Sequence, residues 1–187
     1  HDEIGSNLGS NALISAYPSQ DDATPESMRA YLVEVQTIAR ESADSMRDMV
    51  QLMSPRRSGE DSEWLTVLRS LAIRLLRGTG MTLDIQLTPT GPPPDIDTRR
   101  QLYLFCKEAL HNAAKHSQAH TLRFSIETVN HRHRVTISDD GIGFDTASPQ
   151  PGHGLSNLRE RATTLHADLV IHSQPGQGTR ITLSLPA

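Results

Sequence analysis

Apolar and polar residues alternate with a period of two in five stretches of the chain: Thr82 to Leu87, Thr121 to Glu127, Arg134 to Asp139, Leu169 to Ser173 and Arg180 to Leu185. That period predicts β-strands whose successive side chains face opposite ways, in a sheet with one covered face. Three helical stretches are available to cover it. The first carries Trp64, Leu65, Leu68, Leu71, Ala72 and Leu75, and the third runs from Ser156 to Leu165. The second follows Gly91-Pro92-Pro93-Pro94, takes Asp95 or Asp97 as its cap, and sets Leu102, Phe105, Ala109 and Ala113 on one apolar stripe. Residues 62–187 therefore read as an α/β two-layer sandwich.

Upstream of residue 62 the period becomes helical. Ile4, Leu8, Ala12 and Ala16 predict a helix from His1 to Ala16, weakened by Gly5 and Gly9 and ended before Tyr17-Pro18. Thr24-Pro25 has the form of a helix start, with Thr24 as the cap and Pro25 at the first helical position. From there Met28, Leu32, Val35, Ala39, Ser42, Met46, Met49 and Met53 recur at steps of three and four, a heptad stripe suited to lie along another helix. Two helices and a turn cannot enclose a core. Residues 1–53 are therefore expected to form half of a dimeric four-helix bundle, the alternative being docking onto the chain's own second domain. Ser54 to Asp61, S-P-R-R-S-G-E-D, is the expected hinge. The whole is an α+β chain of two domains.

Composition narrows the partners. The 187 residues carry a net charge of −4, so the basic footprint of a nucleic-acid binder is missing. No run is long and apolar enough to span a membrane, since Arg69, Ser70 and Arg74 interrupt the stretch from Leu65 to Leu76, and no signal-peptide pattern opens the sequence. Membrane attachment is expected only through a sensor region upstream of this chain, with these residues in the cytoplasm. The single cysteine, Cys106, lies on the apolar side of its helix as a small core residue. Of nine histidines, His131, His133, His153 and His172 are scattered over turns and strands and make no zinc site.

Candidate chemistry gathers in four places. In S-D-D-G-I-G-F-D, Ser138 to Asp145, the alternation puts Asp139 on the face of Val135 and Ile137 and Asp140 on the other. A carboxylate on an apolar face needs hydrogen-bond donors, and a ligand's amino group is one. Gly141 and Gly143 permit close backbone approach, although D-G-x-G fits a hairpin turn as well. Gly152-His153-Gly154-Leu155 precedes a helix whose first N–H groups suit phosphate. Gly176-Gln177-Gly178-Thr179 lies between strands and by itself is a bulged hairpin. Glu108, Asn112 and Lys115 fall at i, i+4 and i+7 on one helix. That stripe offers oxygen ligands for Mg²⁺ and a cation for phosphates, or else a plain solvated face.

Taken in order, E-A-L-H-N-A-A-K-H (Glu108 to His116), D-D-G-I-G-F-D, G-H-G-L and G-Q-G-T resemble the four boxes of the ATP-binding domain of the GHKL superfamily, specifically of sensor histidine kinases. N-A-A-K-H-S-Q-A, L-S-N-L-R-E-R-A (Leu155 to Ala162) and the opening His1-Asp2-Glu3-Ile4-Gly5 are similar to the subfamily whose phosphoacceptor helix carries His-Asp-Glu. The resemblance implies ATP and Mg²⁺ as cofactors, with Asp139 accepting from the adenine amino group and Gly141 and Gly143 in the loop around the nucleotide. It implies Asn112 and Glu108 at the metal or its waters, and Lys115, His116 and the backbone of Gly152, His153, Gly154 and Leu155 at the phosphates. Gly178 and Thr179 would support the nucleotide or the surroundings of Asp139, and Asp145 to Pro151 would form a lid. His1 would be the phosphoacceptor, with Asp2 orienting or taking its proton, Glu108 completing the catalytic group, and the phosphoryl group passing to an aspartate of a response-regulator receiver domain. Resembling kinases often carry Gln where Ser6 stands, which implies weak phosphatase activity. The competing readings are a GHKL ATPase driving conformational change and a dimeric ATP-binding scaffold without transfer.

Overall fold

The computed structural model describes residues 24–53, 63–146 and 153–186. The chain divides into two compact units, His1–Val50 and Gln51–Ala187. The expected helix His1 to Ala16, the hinge Ser54 to Asp61 and most of the expected lid lie outside the described residues.

In the first unit the described residues belong to one helix, α1, Pro25–Met53, which continues past the unit boundary. Its start is a reciprocal cap: Ser27 N–H donates to Thr24 Oγ1 at 3.1 Å and Thr24 N–H to Ser27 Oγ at 2.9 Å. On the predicted stripe Leu32 is 58% exposed and Met46 62%, so this helix carries large apolar side chains in contact with solvent.

The second unit is a five-stranded sheet in the order β1-β2-β3-β5-β4, with three helices. α2 spans Glu63–Leu76, β1 Thr82–Leu87, α3 Ile96–His116, β2 Thr121–Val129, β3 Arg132–Asp139, α4 Gly154–Thr164, β4 Asp168–Ser173 and β5 Thr179–Pro186. β1 and β2 are parallel and joined through α3, as a parallel pair requires, and the other neighbours are antiparallel. Each predicted strand is present. β2 and β3 run closer together than the sequence suggested, meeting in a two-residue turn where Asn130 and His131 both have positive φ.

The register lines up rows of side chains across the covered face. Leu87, Ile126, Val135, Leu183 and Leu169 form one row, and Ile85, Phe124, Ile137, Ile181 and Ile171 the next. A third row begins apolar with Leu83 and Leu122 and then turns polar, through Asp139, Thr179 and Ser173. The apolar rows are the floor of the core, and the polar end of the third row lies at its border. Opposite them α3 buries Leu102, Tyr103, Phe105, Cys106, Ala109, Leu110 and Ala113. This face is broader than the predicted stripe because α3 is flanked by α2 on one side and α4 on the other as well as by the sheet. On α2 the core takes Val67 and Leu76, while Leu65 and Leu75 are only half-buried. Both pairs fit helical spacing beside Trp64, Leu68 and Leu71, and packing rather than period decides between them. Burial pushes the Cys106 thiol far above its ordinary range, as expected for a core residue rather than a nucleophile.

His133 sits at the far end of β3 from Asp139, fully buried, its ring centroid 6.3 Å from that of Trp64 on α2. Its Nδ1 is 3.3 Å from Thr128 Oγ1, Nε2 has no partner, and burial holds its pKa below the ordinary imidazole value. It is therefore a core residue.

Candidate ATP-binding site

Three loops share the end of the sheet where β3 finishes, and they approach one another closely enough that no side chain fits between them. A Cβ on Gly141 would collide with the carbonyl of Ser117, the residue that caps α3. Gly143, with φ +56°, presses on the carbonyl of Gln174, and Gly178, with φ +70°, presses on that of Asp139. Hydrogen bonds follow the same lines: Ile142 N–H donates to Ser117 O at 2.8 Å, and Gly176 N–H to Ile142 O at 2.6 Å. The glycines of the second and fourth sequence boxes thus meet each other and the end of α3.

Within this junction the two aspartates have different surroundings. Asp139 is half-buried, its Oδ1 accepting from Gly141 N–H at 3.0 Å. Burial raises its carboxyl above the usual carboxylate range, opposed by the Gly141 and Thr179 N–H groups and reinforced by the charge of Asp140. Asp140 is exposed, and its Oδ1 accepts from both His120 N–H and Thr121 N–H at 2.8 Å, which lowers its pKa. It fastens the start of β2 to the end of β3. Nothing local in the sequence announced that role, because both donors lie about twenty residues away.

The α3 stripe forms the second part. Asp95, not Asp97, is the N-cap, accepting from Thr98 N–H at 2.8 Å. Asn112 Nδ2 donates to Glu108 Oε1 at 3.3 Å, which leaves the amide oxygen of Asn112 and the second oxygen of Glu108 for other partners. The first residue of α4 lies directly against this pair: a Cβ on Gly154 would stand 2.9 Å from Asn112 Nδ2 and from Glu108 Oε1. Two hard oxygen ligands beside a helix N-terminus that begins with glycine fit a Mg²⁺ ion carrying nucleotide phosphates. Lys115 and His116 are exposed in the last turn of α3, and His153 is exposed at the N-cap of α4, without a side-chain capping bond. No cluster of three or more His, Cys, Asp and Glu suited to a metal occurs among the described residues.

Two cavities adjoin the loops. One of about 650 Å³ has Asp139, Gly178 and Thr179 in its wall, and one of about 390 Å³ is lined by Phe144, Leu155 and Ile171 beneath α4. Thr146 and Ile171 border both. The structure therefore brings Asp139, Gly141, Gly143, Gly178 and Thr179 together at one end of the sheet, and Glu108 and Asn112 of α3 together with Gly154 at the start of α4. His1, Asp2 and Gly152 lie outside the described residues.

Residues 97–187 match the family of histidine kinase-, DNA gyrase B- and HSP90-like ATPases. Over 190 residues, all of this chain and 45% of the relative, the sequence is 28% identical to the sensor histidine kinase YxjM of Bacillus subtilis. The chain carries a sensor histidine kinase catalytic core. The core is also 33% identical, over 58% of the chain and 28% of the relative, to the signal transduction histidine-protein kinase/phosphatase DegS of Brevibacillus brevis. The chain spans less than half the length of these curated relatives. Its fold matches the histidine kinase domain of the Erythrobacter litoralis EL346 blue-light activated histidine kinase, with a TM-score of 0.62, 15% identity, and coverage of 94% of this chain and 89% of that one. No helix among the described residues of the kinase core is long and apolar enough to cross a membrane.

Two substitutions separate binding from folding in this core. Asp139→Asn is expected to abolish measurable ATP binding in calorimetry, because the amide adds a donor where an acceptor is needed. The same change should raise the unfolding midpoint at neutral pH. A carboxyl with a raised folded pKa binds protons more tightly in the native state, so its ionisation costs stability as pH rises through that pKa. The gain should fade as pH falls below 3.8, where the Asp139 carboxyl of the parent protein is protonated in the folded and the unfolded state alike. Asp140→Ala should do the reverse, lowering the unfolding midpoint while ATP affinity in the folded protein stays within about twofold.

Gly154→Ala places a methyl group against the movable ends of Asn112 and Glu108 rather than against backbone. The variant is expected to fold with an unchanged melting temperature and to bind Mg²⁺-ATP about tenfold more weakly, the cost of displacing one charge-assisted contact. Equal affinities in a titration would separate the α4 N-terminus from the phosphates.

Proposed function

We propose that this chain is the ATP-dependent autophosphorylating core of a two-component signalling protein, with His1 as phosphoacceptor. The observation that carries the reading is the paired geometry of the site. An acceptor carboxylate stands in a tight glycine junction, and an oxygen-ligand pair on α3 faces the glycine start of α4. The first suits a base with an amino group and the second suits phosphates.

In this reading Asp139 and Thr179 hold the adenine, and Lys115, His116, His153, Leu155 and the backbone of Gly152 and Gly154 surround the phosphates. Mg²⁺, when bound by Asn112 and Glu108, supplies charge neutralisation on those phosphates. The neutral imidazole of His1 attacks the γ-phosphorus, its bond to nitrogen forming as the bond to the β–γ bridging oxygen breaks and ADP leaves. Asp2 orients or accepts the imidazole proton, and the phosphoryl group then passes to an aspartate of a response-regulator receiver domain. Ser6, with a hydroxyl in place of an amide, supports weak removal of phosphate from that partner. The catalytic portion works in the cytoplasm, and any sensor region belongs to the longer protein.

Incubation of the chain with γ-labelled ATP and Mg²⁺ is expected to leave acid-labile label on the protein, absent from a His1→Gln variant that still binds ATP. Free labelled phosphate without labelled protein would instead identify an ATPase, and binding without either product a scaffold.

We further propose that the exposed stripe of α1 pairs with a second copy to complete a four-helix bundle. Changing Leu32 and Val35 together to Glu puts unpaired charges in that seam, at a cost of several kcal/mol. Light scattering should then report a monomer that still binds ATP, and a mass unchanged from the parent protein would argue against the pairing.

A further inference from the structure

We infer that Ser173 is a positioning residue that fixes the hydrogen-bonding polarity of Thr179 and thereby makes the base site selective for a purine with a 6-amino group. The inference rests on the assignment of Asp139 and Thr179 to the base in the reading above.

Ser173 closes the polar row of the covered face. Thr179 is its cross-strand neighbour on one side, and Asp139 is the cross-strand neighbour of Thr179 on the other. Two strand spacings, roughly 10 Å, separate Ser173 from Asp139, so Ser173 acts through Thr179 rather than on a ligand held by Asp139. Its hydroxyl oxygen makes three contacts: Phe144 N–H donates to it at 2.8 Å, Gly178 O lies at 3.0 Å, and Thr179 Oγ1 lies at 3.0 Å. These join the loop after β3 to the turn before β5, the same two loops that Gly143 and Gly178 bring together.

A hydroxyl has one proton and two lone pairs. Gly178 O can only accept, so the proton of Ser173 goes there, and the lone pairs of Ser173 take the Phe144 N–H and the hydroxyl proton of Thr179. All three contacts are then satisfied. If Ser173 donated to Thr179 instead, its oxygen and that of Gly178 would face each other at 3.0 Å as two acceptors. With its own proton committed to Ser173, Thr179 presents lone pairs next to the carboxylate of Asp139. Two neighbouring acceptors favour a donor-bearing edge, such as the 6-amino group of adenine or a water it orients, and disfavour the 6-oxo group of hypoxanthine or guanine. Without Ser173 the Thr179 hydroxyl is free to rotate and to donate.

The test measures dissociation constants for ATP and inosine triphosphate with Mg²⁺ on the full chain, its Ser173→Ala variant and its Ser173→Thr variant, together with melting temperatures. Ser173→Ala is expected to weaken ATP about tenfold and inosine triphosphate less than about twofold, so that the ratio between them falls by about fivefold or more. Ser173→Thr, which keeps the hydroxyl, should restore the ratio. Should Ser173→Ala fail to fold, Ser173→Cys carries the same comparison, since a thiol is a weak donor of similar shape. Equal weakening of both nucleotides, or an unchanged ratio in a folded variant, overturns the inference and leaves Ser173 a purely structural tie. A parent protein that binds neither nucleotide overturns the ATP-site reading itself, and this inference with it.

Discussion

Three loops can meet at one end of this sheet only because Gly141, Gly143 and Gly178 have no Cβ. At each of these positions the missing atom is replaced by a backbone carbonyl of another segment: the cap of α3, the turn after β4 and the last residue of β3. Backbone cannot yield as a flexible side chain can, so the junction has a single arrangement. Everything assigned to the nucleotide base depends on it. Asp139 takes its orienting N–H from Gly141, Thr179 follows directly on Gly178, and Ser117, which Gly141 touches, ends the helix that carries Glu108 and Asn112.

The sheet explains why a carboxylate can stand at that end of the covered face. Two rows across the strands are wholly apolar and are sealed by α3, whose buried face includes Phe105 and Leu110. A carboxylate in either row would be desolvated without donors. In the third row the strands are ending, and the turning backbone supplies N–H groups that a continuing ladder would have consumed. The half-burial of Asp139 is a compromise between these conditions, dry enough to raise its proton affinity and close enough to the Gly141 and Thr179 N–H groups to stay paired. Asp140, one residue on and facing outward, binds backbone of its own protein and serves the fold.

Much of this is legible in the residues themselves. Alternation placed the strands to within two residues and put Asp139 on the covered face, and helical spacing aligned Glu108 with Asn112. What escaped was whatever depends on register between segments remote in sequence. Ser173 shares a face with Leu169 and Ile171 by the same alternation, but its importance comes from standing beside Thr179 across a turn. The two bonds of Asp140 reach back about twenty residues, and the choice of Val67 and Leu76 over Leu65 and Leu75 was made by neighbours. The burial of His133 likewise follows from Trp64, on a helix nearly seventy residues earlier.

That last pair has a practical side. Trp64 is the chain's single tryptophan, and it is buried 6.3 Å from an imidazole at the opposite end of β3 from Asp139, roughly 20 Å along the strand. Its indole emission is a built-in optical probe of α2 seated on the sheet, blue-shifted while the ring is dry and red-shifted when that seat opens. Because the fluorophore and the polar row of Asp139, Thr179 and Ser173 occupy opposite ends of the sheet, a single cuvette distinguishes a variant altered only in that row from one that has lost its core.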